Sequence, residues 1–209
     1  MKLYDYAPAP NPRRVRMFLA EKGIALPTIQ VDLRANAQFT PEFRAINPDC
    51  TVPVLELDDG TRLADVMAIC VYFEMLQPVP ALMGTGPLGA ATVTARQREA
   101  ERDGFFAVAE ALRNSSAAFK GRALPGADDY EQIPALVERG RARAAKFFHT
   151  LDARLATQPF VAGETFSIAD ITAVVAVDFA RWIRLAVPEE LVHVHRWHAE
   201  ISARPSAKA

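Results

Sequence analysis

The run Asn47-Pro48-Asp49-Cys50-Thr51-Val52-Pro53-Val54-Leu55-Glu56-Leu57-Asp58-Asp59-Gly60 holds the residues that speak most directly of chemistry. Proline cannot donate to a β-ladder, so Pro53 belongs at the first residue of a strand or just outside it. An X-Pro bond adopts the cis form at a cost of only about 0.5–1 kcal/mol. A cis Val52-Pro53 bond would turn the Val52 N–H and C=O outward, free to pair with an extended peptide. The segment reads as a binding edge for a small peptide. Cys50, in the same loop, could enter a mixed disulfide, but no Cys-x-x-Cys pair accompanies it. Cys70 falls on an apolar helix face and reads as a small core residue. His193-x-His195-x-x-His198 resembles a metal-ligand spacing. In a helix, however, only His195 and His198 share a face, and no acidic or cysteine companion follows, so no metal site is expected. A solvated C-terminal helix is the simpler account. Neither a glycine-rich phosphate loop nor a Gly-x-Ser-x-Gly elbow occurs.

The elements that must position these groups change character along the chain. Lys2–Tyr6 reads as strand one. Asn11-Pro12 opens a helix, with Asn as N-cap and Pro at the first helical position, and Gly23 ends it. Pro27–Val31 reads as strand two, and Thr40-Pro41-Glu42-Phe43 starts a short helix. Pro53–Leu57 and Arg62–Leu63 bracket Asp58-Asp59-Gly60, a hairpin signal. Asp65 to Leu76 is a helix with Val66, Ile69, Cys70 and Phe73 on one face. The order βαβ, α, ββα suits an α/β layer on a small mixed sheet. Gln77 to Gly89 carries Pro78, Pro80, Pro87, Gly84, Gly86 and Gly89 and reads as a linker. Beyond it the pattern is helical, over 90–120, 133–157, 167–185 and 189–203. In Phe166-Ser167-Ile168-Ala169-Asp170-Ile171, Ser167 is the N-cap with Asp170 three residues on, a short-armed capping box. Phe166 and Ile171 take the staple positions around it.

Composition narrows the function classes. The 209 residues are half apolar and 23% charged, with 24 basic against 25 acidic side chains, so nothing favours nucleic acid. Two cysteines make no disulfide framework, and a reducing, cytoplasmic compartment is the expectation. No apolar run is long enough for a membrane span or a signal peptide.

Several segments together resemble the cytosolic glutathione transferase family, bacterial type. They are 14–24 (Arg14-Val15-Arg16-Met17-Phe18 through Gly23-Ile24), Asn47-Pro48 with Val52-Pro53-Val54-Leu55, 63–69 (Leu63-Ala64-Asp65-Val66-Met67-Ala68-Ile69), and 162–170 (Ala162-Gly163-Glu164-Thr165-Phe166 through Asp170). The resemblance covers nearly the whole chain. It implies α/β plus all-α architecture: a thioredoxin-like domain (βαβαββα) at 1–77, a linker at 78–89 and a helical bundle at 90–209. It also implies a homodimer and glutathione as co-substrate.

By that resemblance Val52, with Pro53, pairs with the cysteinyl backbone of glutathione. Asp65 binds the γ-glutamyl ammonium, and Val66 binds its carboxylate through N–H alone, since the family's serine hydroxyl is missing. Gln38 stands near a polar or basic residue that meets the glycyl carboxylate, and Thr51 lies beside the ligand. Cys50 replaces a glycine. Ala9 occupies the position of the catalytic Ser or Cys of several classes and cannot donate to a thiolate. Ala9-Pro10-Asn11 is similar to the Thr-Pro-Asn of a bacterial class in which asparagine contacts the sulfur. Asn11 is therefore the first candidate for stabilising the thiolate, and Tyr6, ending strand one, the second. As an N-cap, Asn11 would use its oxygen and keep its amide nitrogen for a ligand. Arg13 and Arg14 in the first turn oppose the macrodipole and suggest a bound anion, unless they are simply solvated. In the family the first long helix after the linker lines the second-substrate pocket, here through Phe105, Phe106, Ala109, Leu112 and Arg113. A thiolate so held would attack a small hydrophobic electrophile, reduce a disulfide or peroxide, or drive an isomerisation. Loss of the chemistry would leave a glutathione-binding protein.

Overall fold

A computed structural model describes all 209 residues. The N-terminal half is built on four short strands: β1 (Lys2–Asp5), β2 (Thr28–Gln30), β3 (Val54–Glu56) and β4 (Arg62–Leu63). They lie in the order β2-β1-β3-β4, with β1 and β2 parallel and the other pairs antiparallel. Tyr4 pairs with Val54 and Leu3 with Leu55. Helices α1 (Pro10–Glu21), α2 (Pro41–Arg44) and α3 (Val66–Leu76) complete the βαβαββα order expected from the sequence. Thioredoxin-like architecture with a helical second half is thus present.

Local chemistry sets most boundaries. Gly23 ends α1 in the left-handed region at φ 68°, and the Ile24 N–H returns to the Leu19 carbonyl at 2.9 Å. The Thr40 hydroxyl caps α2 by accepting from the Phe43 N–H, and the Asp65 carboxylate caps α3 by accepting from Ala68 N–H at 2.8 Å. Lys22 is fully buried. Its ammonium donates to the Gln77 carbonyl and pairs with Glu74, fastening the end of α1 to the end of α3.

The second half is helical: α4 (Gly86–Glu99), a π-helical turn (Ala100–Phe105), α5 (Phe106–Ser115), α6 (Ala135–Leu155), α7 (Ile168–Ala180) and α8 (Val192–Ser202). Two expectations change here. The helix starts at Gly86, inside the stretch read as linker to residue 89, because Pro87 is tolerated in a first turn where its N–H is not needed. The expected helix over 90–120 is interrupted by the π turn and ends at Ser115. α7 is also shorter than read, closing in a 3₁₀ turn (Arg181–Ile183) before Arg184 turns left-handed at φ 54°. No helix is long and apolar enough to cross a membrane.

Helix α7 runs through the middle of the second half with all its residues but Asp178 buried. A Cβ on Gly140 would come within 2.6 Å of the Ala107 carbonyl, so glycine permits the close approach of α6 to α5. At the start of α7 the expected box forms. The Ser167 hydroxyl accepts from Ala169 N–H, and Asp170 accepts from the Ser167 N–H and hydroxyl. Asp170, fully buried, also accepts from Val161 N–H at 2.8 Å and Trp197 Nε1 at 2.9 Å. Burial pushes this carboxyl up to about 6, against the pull of its donors. An acid whose folded pKa lies above its unfolded value of about 4 binds its proton more tightly when folded. Its contribution to stability is therefore largest below that lower value and fades as pH rises toward about 6.

Three stability outcomes are expected in denaturant titrations. Ser167→Ala should cost about 0.5–2 kcal/mol, the usual loss of a cap. Asp170→Ala strands several buried donors and should cost more than about 3 kcal/mol; equal losses would show that the box is merely local. At Cys50, held left-handed at φ 54°, Gly should be the more stable replacement than Ala. The margin should be about 1 kcal/mol, since a Cβ in that region costs about 1–2 kcal/mol.

Candidate functional site

The helix starts two residues earlier than expected. Ala9 is the N-cap, with extended backbone and no side chain to cap with, and Pro10 is the first helical residue. Asn11 is therefore not the cap but the second residue of α1. Pro10 and Pro12 have no N–H, and the Arg13 N–H returns to the Ala9 carbonyl at 3.2 Å. The first turn accordingly offers a single free backbone donor, the Asn11 N–H. The Asn11 Oδ1 accepts from Arg14 Nη2 at 2.7 Å, which leaves its Nδ2 hydrogens for another partner.

Arg13 and Arg14 are not solvated charges. Arg14 is 3% exposed. Its Nη1 donates to Glu101 Oε1 at 2.8 Å, and its guanidinium lies 4.5 Å over the Phe105 ring, while Nε has no partner. Arg13 pairs with Asp178 at 2.7 Å, and Asp178 in turn meets His198 Nε2 at 2.8 Å. Burial opposes the Asp178 charge, but the bonds from His198 and Arg13 outweigh it and hold the carboxyl below its ordinary range. α1 packs against α7, so cations that oppose its dipole find carboxylates from the second half. His198 thus belongs to this chain of contacts rather than to a solvated helix.

The Val52-Pro53 bond is cis. Asn47, buried, donates to the Thr51 carbonyl and hydroxyl at 2.9 and 3.0 Å and so holds the loop. Neither the Val52 N–H nor its C=O is taken by another backbone group. The register of β1 against β3 brings Tyr6 to the same sheet end as Val52. Val52 belongs to a small buried cluster with Tyr4, Val31, Phe43 and Val54, against which Tyr6 and Ala37 also pack. Gln38 follows Ala37 in a 3₁₀ turn, 6% exposed, its Oε1 without a partner. Asp65 is exposed at the head of α3, where the Val66 and Met67 N–H groups lie in the first turn and are not used within the helix. The Val66 side chain is buried in the main core.

Of the residues expected near a second substrate, Phe106 is exposed, while Phe105 is buried under Arg14. Arg113 is withdrawn from any pocket: its guanidinium donates to the carbonyls of Arg122, Ala123 and Leu124. Burial lowers its pKa to about 10. Trp182, half exposed and edge-on to Phe179, stands one turn beyond Asp178. No local pattern marked Trp182, Glu101 or Asp178 as site residues. Concavities of about 150 Å³ beside His198 and about 350 Å³ beside Arg204 include none of Asn11, Val52 or Asp65. The candidate site comprises the α1 terminus, the cis-proline loop and the α3 terminus.

Residues 9–76 match the family model for the glutathione S-transferase N-terminal domain, and residues 107–205 that for the C-terminal domain. The chain is 35% identical to Glutathione S-transferase 2 of Saccharomyces cerevisiae, over 100% of this chain and 88% of that one. It is 26% identical to Disulfide-bond oxidoreductase YfcG of Escherichia coli, over 96% and 90%. The crystal structure of a glutathione S-transferase domain-containing protein from Marinobacter aquaeolei superposes with a TM-score of 0.91 at 35% identity, covering 99% of each chain. The two-half architecture, the cis-proline edge and these likenesses together place the chain in the glutathione S-transferase family.

Proposed function

We propose that the protein is a glutathione transferase that holds the glutathione thiolate at Asn11. The observation that carries this reading is the start of α1, where two prolines leave one free N–H and the Asn11 amide beside it. A free thiol titrates near 8.5, and a helix N-terminus with added donors lowers that value. Val52, N-terminal to the cis Pro53, supplies the antiparallel edge for the cysteinyl backbone, with Thr51 alongside. Asp65 takes the γ-glutamyl ammonium, the Val66 N–H the adjacent carboxylate, and Gln38 faces the glycyl carboxylate. Tyr6 is the second candidate for the sulfur.

The thiolate then attacks a small hydrophobic electrophile that enters near Phe106. A carbon–sulfur bond forms, and the leaving group departs with its electron pair. YfcG is named a disulfide-bond oxidoreductase, which keeps disulfide reduction within the chemistry proposed. Isomerisation stays a third outcome of the same thiolate. Ala9 and the missing hydroxyl at Val66 favour one competitor, a glutathione-binding protein without turnover.

The same reading includes a cytoplasmic role in detoxification, a division at 1–77, 78–89 and 90–209, and a homodimer. Val71, Met75, Leu76, Val79 and Leu88 support the last, as large apolar side chains exposed along α3, the segment that follows it and the start of α4.

The first test is a pH titration of thiolate absorbance with glutathione present. Saturable absorbance titrating well below the free thiol value is expected, and its absence would leave only binding, or another ligand. Asn11→Ala should lower kcat roughly 10- to 100-fold while changing the glutathione Kd less than about threefold. Asn11→Asp keeps an acceptor for Arg14 but sets a negative charge beside the sulfur, and should be the more damaging of the two. Unchanged turnover in both would remove Asn11 from the mechanism.

A further inference from the structure

Residues 116–134 link α5 to α6, and their conformation is built from within. The Arg113 guanidinium, stacked 4.5 Å over Phe119, gathers the carbonyls of Arg122, Ala123 and Leu124. The Arg122 N–H returns to the Phe119 carbonyl at 2.8 Å, and Arg122 bridges to Tyr130. Gln132 closes the base through the Arg113 and Ser116 carbonyls. The product is a hydrogen-bonded arm from which the Arg122 side chain reaches away.

That side chain lands on the other half of the molecule. Its Nη1 donates to Asn36 Oδ1 at 3.1 Å, its Nη2 stays on the Ala118 carbonyl, and its guanidinium lies 5.6 Å from the Phe39 ring. Arg44 sits at 5.8 Å from the same ring and donates to the Phe39 carbonyl. Phe39 is thus flanked by two guanidiniums, and only the one from Arg122 comes from the second half. Between Asn36 and Phe39 lies Gln38, buried with an unpartnered Oε1.

The turn at 36–39 needs such help. Asn36 is left-handed, β2 before it is an exposed edge strand, and α2 after it is a single turn. Its only apolar anchor is the five-residue cluster around Val52, separate from the main core. Segments with few buried apolar contacts open at low free energy.

We propose that Arg122 is a positioning residue for the ligand site: reaching over from the second half, it fastens the 36–39 turn and so sets where Gln38 meets the glycyl carboxylate. This rests on the glutathione reading above for the ligand, but the fastening itself does not. Arg122 touches neither the sulfur nor the second substrate, so its effect belongs to glutathione affinity and not to the chemical step.

The experiment compares wild type, Arg122→Ala, Arg122→Lys, Phe39→Ala and the double variant Arg122→Ala with Phe39→Ala. Glutathione Kd is read by calorimetry, KM and kcat by turnover, and amide hydrogen exchange at 36–40 without ligand. Arg122→Ala should raise the glutathione Kd and KM roughly 3- to 10-fold, the size of one exposed cation–π contact with a hydrogen bond. Its kcat should stay within about twofold, and exchange at 36–40 should quicken. Arg122→Lys should recover part of the affinity, and Arg122→Ala should add less than about twofold when Phe39 is already Ala. Unchanged Kd in Arg122→Ala beside a wild type that binds, or multiplying effects in the double variant, would overturn the proposal. A wild type that binds no glutathione would instead defeat the proposed function. Exchange at 36–40 then decides the fastening: faster in Arg122→Ala supports it, and unchanged rejects it.

Discussion

The buried contact between Arg14 and Glu101 is the constraint on which the rest of the site depends. Both side chains are almost wholly out of water, at 4% and 8% exposure. A buried pair of this kind adds little net stability, but removing one partner strands the other charge at a cost of about 3–5 kcal/mol. Its consequence is geometric. Glu101 comes from the π turn of the second half, where one extra residue per turn redirects the side chains. Arg14 spans from that carboxylate to the Asn11 oxygen and lies on Phe105 as it does so. The orientation of the asparagine amide is therefore dictated by a residue of the other half. Arg13 repeats the logic one residue earlier, through Asp178 to His198.

The apolar interior is divided unevenly. One large cluster includes the inner faces of α1 and α3 and nearly all of α7, and it crosses from one half to the other. The second cluster is five residues that include Val52, and the cis-proline loop rests on it. The proposed thiolate end of the site is thus tied to the main core by way of Arg14, whereas the proposed glycyl end rests on a small satellite. A ligand that spans the two joins a fixed end to a compliant one.

What could be read from the sequence follows the range of the forces involved. The strand and helix order, the hairpin at Asp58-Asp59-Gly60, the Asp65 cap and the Ser167 box all arise from residues within a few positions of one another. Pro53 also announced its own loop. The start of α1 was misplaced by two residues because Asn11-Pro12 and Ala9-Pro10 both put proline at a first helical position, and Ala9 carries no side chain to betray the cap. Arg13 and Arg14 read as partners of a bound anion or as solvated charges because their carboxylates stand 165 and 87 residues further along. His198 was misjudged for the same reason, and Arg113 because its partners are carbonyls, which carry no residue signature. The helical stretch at 86–89 was hidden by glycines and a proline that a first turn accepts.

The paired prolines at the head of α1 bear on discrimination among anions. An ordinary helix terminus offers several convergent N–H groups, which is why such ends so often take up phosphate. Here Pro10 and Pro12 silence two of those positions. A tetrahedral oxyanion would bring several oxygens to one backbone donor and lose more hydration than it regained. An anion whose charge sits on a single large atom gives up less when it meets one N–H and one amide. Phosphate and sulfate should therefore bind poorly at this terminus, and a single-atom anion such as the proposed thiolate should meet little competition from them.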